Sequence, residues 1–140
     1  MRKELHMDQA VARTMQGYAE DAVSLARRHF SIVLDYSASS VIELERLADA
    51  LCSTLPANLD RNKMNEMSHL LGGYLGEVIR REVGGEWLIT EHEGSDTVGL
   101  WMKNDSFAFP SKRVLERLVK GPSENIWHWF LFTRRDLDSI

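Results

Sequence analysis

The stretch Leu71–Trp87, LGGYLGEVIRREVGGEW, decides how the chain is read. It holds five of the nine glycines, and Gly72, Gly73 and Gly76 fall where the apolar spacing says helix. Glycine inside a helix costs about 0.5–1 kcal/mol relative to alanine, so three together need a reason. Gly72 and Gly76 are four apart and share one helix face, with Gly73 beside them. Two readings explain the missing side chains: another element packs closely there, or a ligand or partner backbone lies in the groove. A phosphate-binding loop is not expected, because no strand leads into the glycines and neither the Gly-x-Gly-x-x-Gly nor the Walker spacing is present. Gly84 and Gly85 read as a helix stop that turns the chain into a strand.

The same stretch carries the charged residues GEVIRRE. Glu77 and Arg81 are spaced i, i+4, a pairing worth a few tenths of a kcal/mol. Arg80 and Arg81 are adjacent and point about 100° apart around the helix. One of them can reach a carboxylate elsewhere, Glu86 or Asp35. The arginines therefore read either as helix-surface pairing or as an anion or partner-carboxylate site. In the second case Tyr74, Glu77, Arg80, Arg81 and Trp87 surround a pocket between the Gly72/Gly76 face and the strands that follow.

Working outward, the spacing predicts a helix over about 61–83, with Met64, Met67, Leu71, Tyr74, Leu75 and Val78 on its buried face. Before it, Val11, Met15, Tyr18, Ala22, Leu25 and Phe30 predict a helix over about 10–30. Its last turn holds Arg27, Arg28 and His29, where positive charge suits the helix dipole. A second helix follows LDYSASS, with Val41, Leu44, Leu47, Ala48, Leu51 and Leu55 inward and Pro56 at its end. Its start is open between Ser37 as N-cap, with a Tyr36–Val41 staple, and Ser40 with Glu43 as a capping box.

After Gly85 the pattern alternates. EWLIT and TVGLWMK read as strands joined by a turn-rich loop EHEGSD, the second with Val98, Leu100 and Met102 on one side. NDS is a second turn, and FAF adds a short strand with Phe107 and Phe109 on one face. Pro110-Ser111 opens a short helix with Val114, Leu115, Leu118 and Val119 inward, and Gly121-Pro122 ends it. Ser123 is a candidate cap for a last segment whose run Ile126–Phe132 is apolar nearly all round: deeply buried, covering a partner, or a strand. The fold class expected is α+β: an N-terminal helical half of three helices, a small antiparallel β-meander and C-terminal helices. The chain reads as a single domain, 1–140, with residues 1–9 expected as a disordered N-terminal tail.

Composition limits the functions. Apolar residues at 44% and charged residues at 27% describe a globular chain. No apolar run reaches the ~20 residues of a membrane span, and the N-terminus has no signal-peptide core. Cys52, the single cysteine, has apolar neighbours and is expected as a buried structural thiol in a reducing cytoplasm. The net charge of -4 disfavours nucleic acid as a partner. Charge is uneven: residues 31–60 hold five acids and one base, residues 88–109 four and one, and residues 110–140 six bases and four acids. An acidic middle suits a basic partner, against the plainer reading of a solvated face.

Catalytic and metal motifs are missing. In Glu91–Glu93, EHE, His92 points away from both glutamates on a strand, and no second His or Cys stands nearby at metal spacing, so no metal and no cofactor is expected. His69 and His128 lack a nucleophile or orienting carboxylate that sequence can pair with them. Trp127 and Trp129, in WHWF, read as core or, if exposed, as interface anchors.

LDYS, GGYLGEVIRREVGGEW, the hairpin and FPSKRVLERL together resemble a family of small bacterial domains of unknown function. The resemblance covers about 16–130. Its specific parts are the glycine helix and the Gly-Gly-Glu-Trp turn. It implies a helical N-terminal half leading into a small sheet and a bacterial source, and it supplies no catalytic residues. By analogy of type, small acidic cytosolic α+β proteins often act as immunity proteins. The expected function is thus a protein-binding module that occludes a toxin with a basic surface. Glu43, Glu45, Asp49, Glu91, Glu93 and Asp96 would face it, with Trp127 and Trp129 as anchors. The alternative is a small-molecule or anion-binding protein, with an enzyme not excluded, using the pocket around Arg80 and Arg81.

Overall fold

The computed structural model describes residues 8–54 and 60–138. Helix α3 (Arg61–Val83) forms where the periodicity places it, and every residue from Leu71 to Ile79 is buried. Asp60 caps its start by accepting from the Asn62 N–H, and the Gly84 N–H closes its end on the Arg80 carbonyl. Both Gly84 and Gly85 take positive φ, which a side chain disfavours. Helices α1 (Gln9–Phe30) and α2 (Ser40–Thr54) precede α3, and α4 (Pro110–Lys120) and α5 (Ile126–Asp138) close the chain after a 3-10 turn at Pro122–Glu124. Between them lies an antiparallel sheet of β1 (Glu86–His92), β2 (Ser95–Trp101) and β3 (Phe107–Ala108), in sequence order. The chain is α+β, with three helices first, strands in the middle and helices at the end.

The three helix glycines serve three different neighbours. A β-carbon at Gly72 would collide with Ser111 at the start of α4. One at Gly73 would lie 2.7 Å from the Met15 carbonyl oxygen and 2.9 Å from Tyr18 Cβ in α1. One at Gly76 would enter the buried Trp87 indole. Close approach also resets the buried face of α1. Ala12, Met15, Ala19, Ala22 and Ala26 are buried, while Val11, Tyr18 and Phe30 pack only partly and Leu25 sits at the flank. Alanines occupy the contact because bulkier residues would hold the helices apart. Of the tail expected over residues 1–9, Asp8 and Gln9 are placed: Asp8 caps α1, and its own N–H donates to the Trp87 carbonyl.

Other expectations are corrected locally. The α2 start resolves toward Ser37, whose Oγ accepts from the Ser40 N–H, while Glu43 turns to Arg46 instead of closing a capping box. Leu55 and Pro56 lie outside the described residues. The hairpin loop is shorter than EHEGSD. Glu91, His92, Ser95 and Asp96 are paired strand residues, and only Glu93-Gly94 turns, both at positive φ as a two-residue hairpin turn requires. Val119 is exposed and Leu115 half-buried, whereas Arg117 is buried between them. Asn125, not Ser123, caps α5 by accepting from the His128 N–H. The WHWF segment is helical. Ile126 and Phe130 are buried, Trp127 and Trp129 half-buried, and Leu131 and Phe132 open to solvent. Cys52 is exposed, contrary to the expected buried thiol. It lies one step past Leu51 on α2, outside the buried stripe, with its Sγ 3.7 Å from the Leu118 carbonyl.

Candidate functional site

The junction around Gly76 is a closed structural knot. Glu77 is 1% exposed. It receives Arg80 through Nε at 2.9 Å and Nη2 at 3.1 Å, and the Trp87 indole N–H at 2.9 Å. Burial alone would push the Glu77 carboxyl upward. The Arg80 and Trp87 hydrogen bonds and the charges of Arg80 and Arg81 outweigh it, so the carboxyl ends below the usual range. Arg80 is held above its ordinary value chiefly by the hydrogen bond to Glu77. Arg81 lies 3.7 Å from Glu77 Oε1 and stacks 3.7 Å over the Tyr36 ring. Neither arginine reaches Glu86 or Asp35 among the described contacts.

Tyr74 is buried in the same layer. Its hydroxyl accepts from the Tyr36 N–H at 2.8 Å and shares a hydrogen with Ser40 Oγ at 2.6 Å. That contact holds Tyr36 in its left-handed conformation, φ 67°. Burial, its main cause, raises the Tyr74 hydroxyl pKa. The pocket expected between the Gly72/Gly76 face and the hairpin, lined by Tyr74, Glu77, Arg80, Arg81 and Trp87, is therefore filled: Ser111 and the Trp87 ring occupy the space the glycines leave.

The acidic residues divide into two groups. Glu45 and Asp49 turn to Arg117, which is 1% exposed, at 2.8 and 3.1 Å. Glu45 also accepts from the Ile126 N–H at 2.9 Å, tying α2, α4 and α5 together. Burial pulls Arg117 down, but the two carboxylates outweigh it and raise it overall. These two acids hold the fold, and Glu43 pairs with Arg46 on the surface.

The second group is at the hairpin. Glu93 binds Lys112 at 2.8 Å, and this contact, its main cause, lowers the Glu93 carboxyl pKa. Glu91 and Asp96 face each other directly across β1 and β2, both exposed, with no ion-pair partner among the described residues. Like charges directly opposite destabilise a strand pair. Beside them on the same face Ile89 is 51% exposed, opposite Val98. Trp129 lies 5.7 Å below Arg113, and Trp127 stacks on Phe130, so neither indole stands free.

An open cleft does exist next to this hairpin, with a different lining. It has a volume of about 450 Å³, within the range of small-molecule sites. Val11, Met15 and Tyr18 of α1 and Val98 of β2 give it an apolar floor. His69 of α3, stacked on Tyr18 at 5.6 Å, forms one wall. Asp96 from β2 and Ser111 and Lys112 from α4 form its polar rim. Four elements, α1, α3, β2 and α4, supply the lining, so no local motif marks it. Tyr18 reads as part of a helix stripe and His69 as a lone histidine.

Among the described residues no group of three or more His, Cys, Asp and Glu side chains converges to hold a metal, and no helix is long and apolar enough to cross a membrane. Comparison with family models, curated proteins and solved structures finds no match to the chain.

Proposed function

We propose that this chain is a cytoplasmic protein-binding module of bacterial origin. In this reading it acts as an immunity protein that occludes a toxin with a basic surface. The observation that carries the reading is the Glu91–Asp96 pair, two exposed acids opposed with no ion-pair partner among the described residues and flanked by exposed Ile89. Such a pair works against the stability of the hairpin that bears it. A basic partner surface turns that cost into attraction, steers encounter and covers Ile89. Glu45 and Asp49 are spent on Arg117, so the docking face narrows to Ile89, Glu91 and Asp96 at the hairpin.

The test is co-expression with the toxic products of neighbouring genes. Wild type should protect the cell and form a stoichiometric complex. The Glu91→Lys/Asp96→Lys variant should lose both while keeping its thermal midpoint. If no neighbouring product is neutralised, or the charge-reversed variant protects equally, the reading is wrong.

A further inference from the structure

Resting on the acidic docking face proposed above, we infer that the open edge of β1 takes up an extended, basic segment of a partner protein as a fourth strand of the sheet. The register decides which backbone groups are available. The Glu93-Gly94 turn leaves His92 opposite Ser95, and a two-residue turn makes its flanking residues a hydrogen-bonded pair. Pairs alternate along the ladder, so Glu91–Asp96, Ile89–Val98 and Trp87–Leu100 are the non-hydrogen-bonded ones. In those pairs the N–H and C=O of each β1 residue point away from β2. β1 is an edge strand, so they point out of the sheet.

The chain already uses this edge once. The Trp87 carbonyl accepts the Asp8 N–H at 2.9 Å, where the alternation puts it. Ile89 and Glu91 present the same outward groups, and among the described residues no backbone hydrogen bond outside the sheet reaches them. Both residues are exposed. Edge strands are commonly blunted by proline, lysine or a bulge. The strand EWLITEH has neither proline nor lysine, and its register with β2 runs without a bulge.

Charge chooses the occupant. Side chains of a non-hydrogen-bonded pair stand closest, so the Glu91 and Asp96 carboxylates are opposed at the nearer of the two spacings. A lysine or arginine opposite Glu91 on an added strand relieves that opposition, and an apolar residue two positions further covers Ile89. A second copy of this chain fits badly. Antiparallel pairing of two β1 edges about Thr90 would gather both Glu91–Asp96 pairs on one face of the joined sheet.

The experiment is an NMR titration of the full chain with the acetylated, amidated peptide Thr-Lys-Thr-Val-Thr. Run antiparallel, it sets lysine opposite Glu91 and valine opposite Ile89, and it ends short of the carbonyl that Asp8 holds. It should shift the Ile89, Thr90 and Glu91 amide resonances saturably. Two N-methylated forms keep every side chain. Methylating the lysine and valine nitrogens removes the donors that face β1 and should weaken binding at least about tenfold. Methylating the central threonine nitrogen, which faces away from β1, should change it by less than about twofold. The inference is overturned if the two methylated forms bind alike, because side chains alone then make the contact; the acidic docking face survives that result. It is also overturned if the peptide gives no saturable shift, or if the Ile89 and Glu91 amides shift when the chain is concentrated by itself, which makes a second copy the occupant. The expected peptide pattern with no toxin neutralised would keep the edge site and remove the immunity reading.

Discussion

Replacing glycine by alanine inside a helix ordinarily stabilises a protein, and two helix glycines in this chain should respond with opposite signs. At Gly17 in α1 a β-carbon meets nothing within 4 Å. Gly17→Ala should therefore gain the intrinsic preference, about 0.5–1 kcal/mol. At Gly73 the same β-carbon would lie 2.7 Å from the Met15 carbonyl oxygen, 2.9 Å from Tyr18 Cβ and 3.3 Å from the Ala19 nitrogen. Two of these three atoms are α1 backbone, which cannot swing aside as a side chain does. To accept the methyl, α1 must back away from α3 by several tenths of an ångström along its Ala12–Ala26 face. Overpacking of this kind costs about 1–3 kcal/mol, and more where backbone must shift. Set against the helix gain, Gly73→Ala should lose about 1–2 kcal/mol, a fall in midpoint of about 3–8 °C for a chain of this size. Thermal and urea unfolding followed by circular dichroism on both variants decides the matter. A Gly73→Ala protein as stable as wild type would refute the close α1–α3 contact. A destabilised Gly17→Ala protein would show that the comparison itself misjudges helix propensity here.

Three further outcomes follow from the buried charges and the thiol. Glu77→Gln should cost about 2 kcal/mol at pH 7 by weakening the bonds from Arg80 and Trp87. Because the folded carboxyl lies below the ordinary carboxylate range, that stabilisation is complete at neutral pH and fades as pH falls through the ordinary value toward the folded one. Urea titrations should therefore show wild type and variant converging in acid, and a gap that stays constant from neutral pH to pH 3 would contradict this. Arg117→Ala should cost about 3–5 kcal/mol because it strands the Glu45 carboxylate, and adding Glu45→Gln should recover part of the loss. A double variant no more stable than Arg117→Ala would show that the loss is packing alone. Cys52 should react with a thiol reagent in the native protein without denaturant, and protection until unfolding would contradict its exposed position.

Where side-chain pattern and local turn chemistry agree, the sequence is readable. The α3 span 61–83 follows from its periodicity and the Gly84-Gly85 stop, and α1 is bounded to within a residue. What escapes is set by distant partners. Arg117 looks like a surface charge in a helix of alternating Val, Leu and Arg, yet Glu45, 72 residues earlier, draws it inside and turns Val119 out. The small residues of α1 look like the weak flank of its stripe, and only Gly73 across the interface makes them the contact. The hairpin acids are visible as charges. Their opposition across the strands depends on a register set by the Glu93-Gly94 turn, which the run EHEGSD does not display. The cleft is hidden for the same reason, since α1, β2 and α4 each bring only a few of its lining residues.

The contact of Ser111 with Gly72 has a consequence for synthesis. α3 carries three glycines and is buried along most of its C-terminal half, yet the element that covers Gly72 is translated almost forty residues later. Until α4 emerges, that face meets water, and Glu45 waits without its arginine. The nascent chain therefore passes through a stage in which α1, α2 and α3 are complete in sequence but open along one side. A ribosome stalled between residues 85 and 109 would hold an unfinished, sticky intermediate, the natural substrate of a holding chaperone.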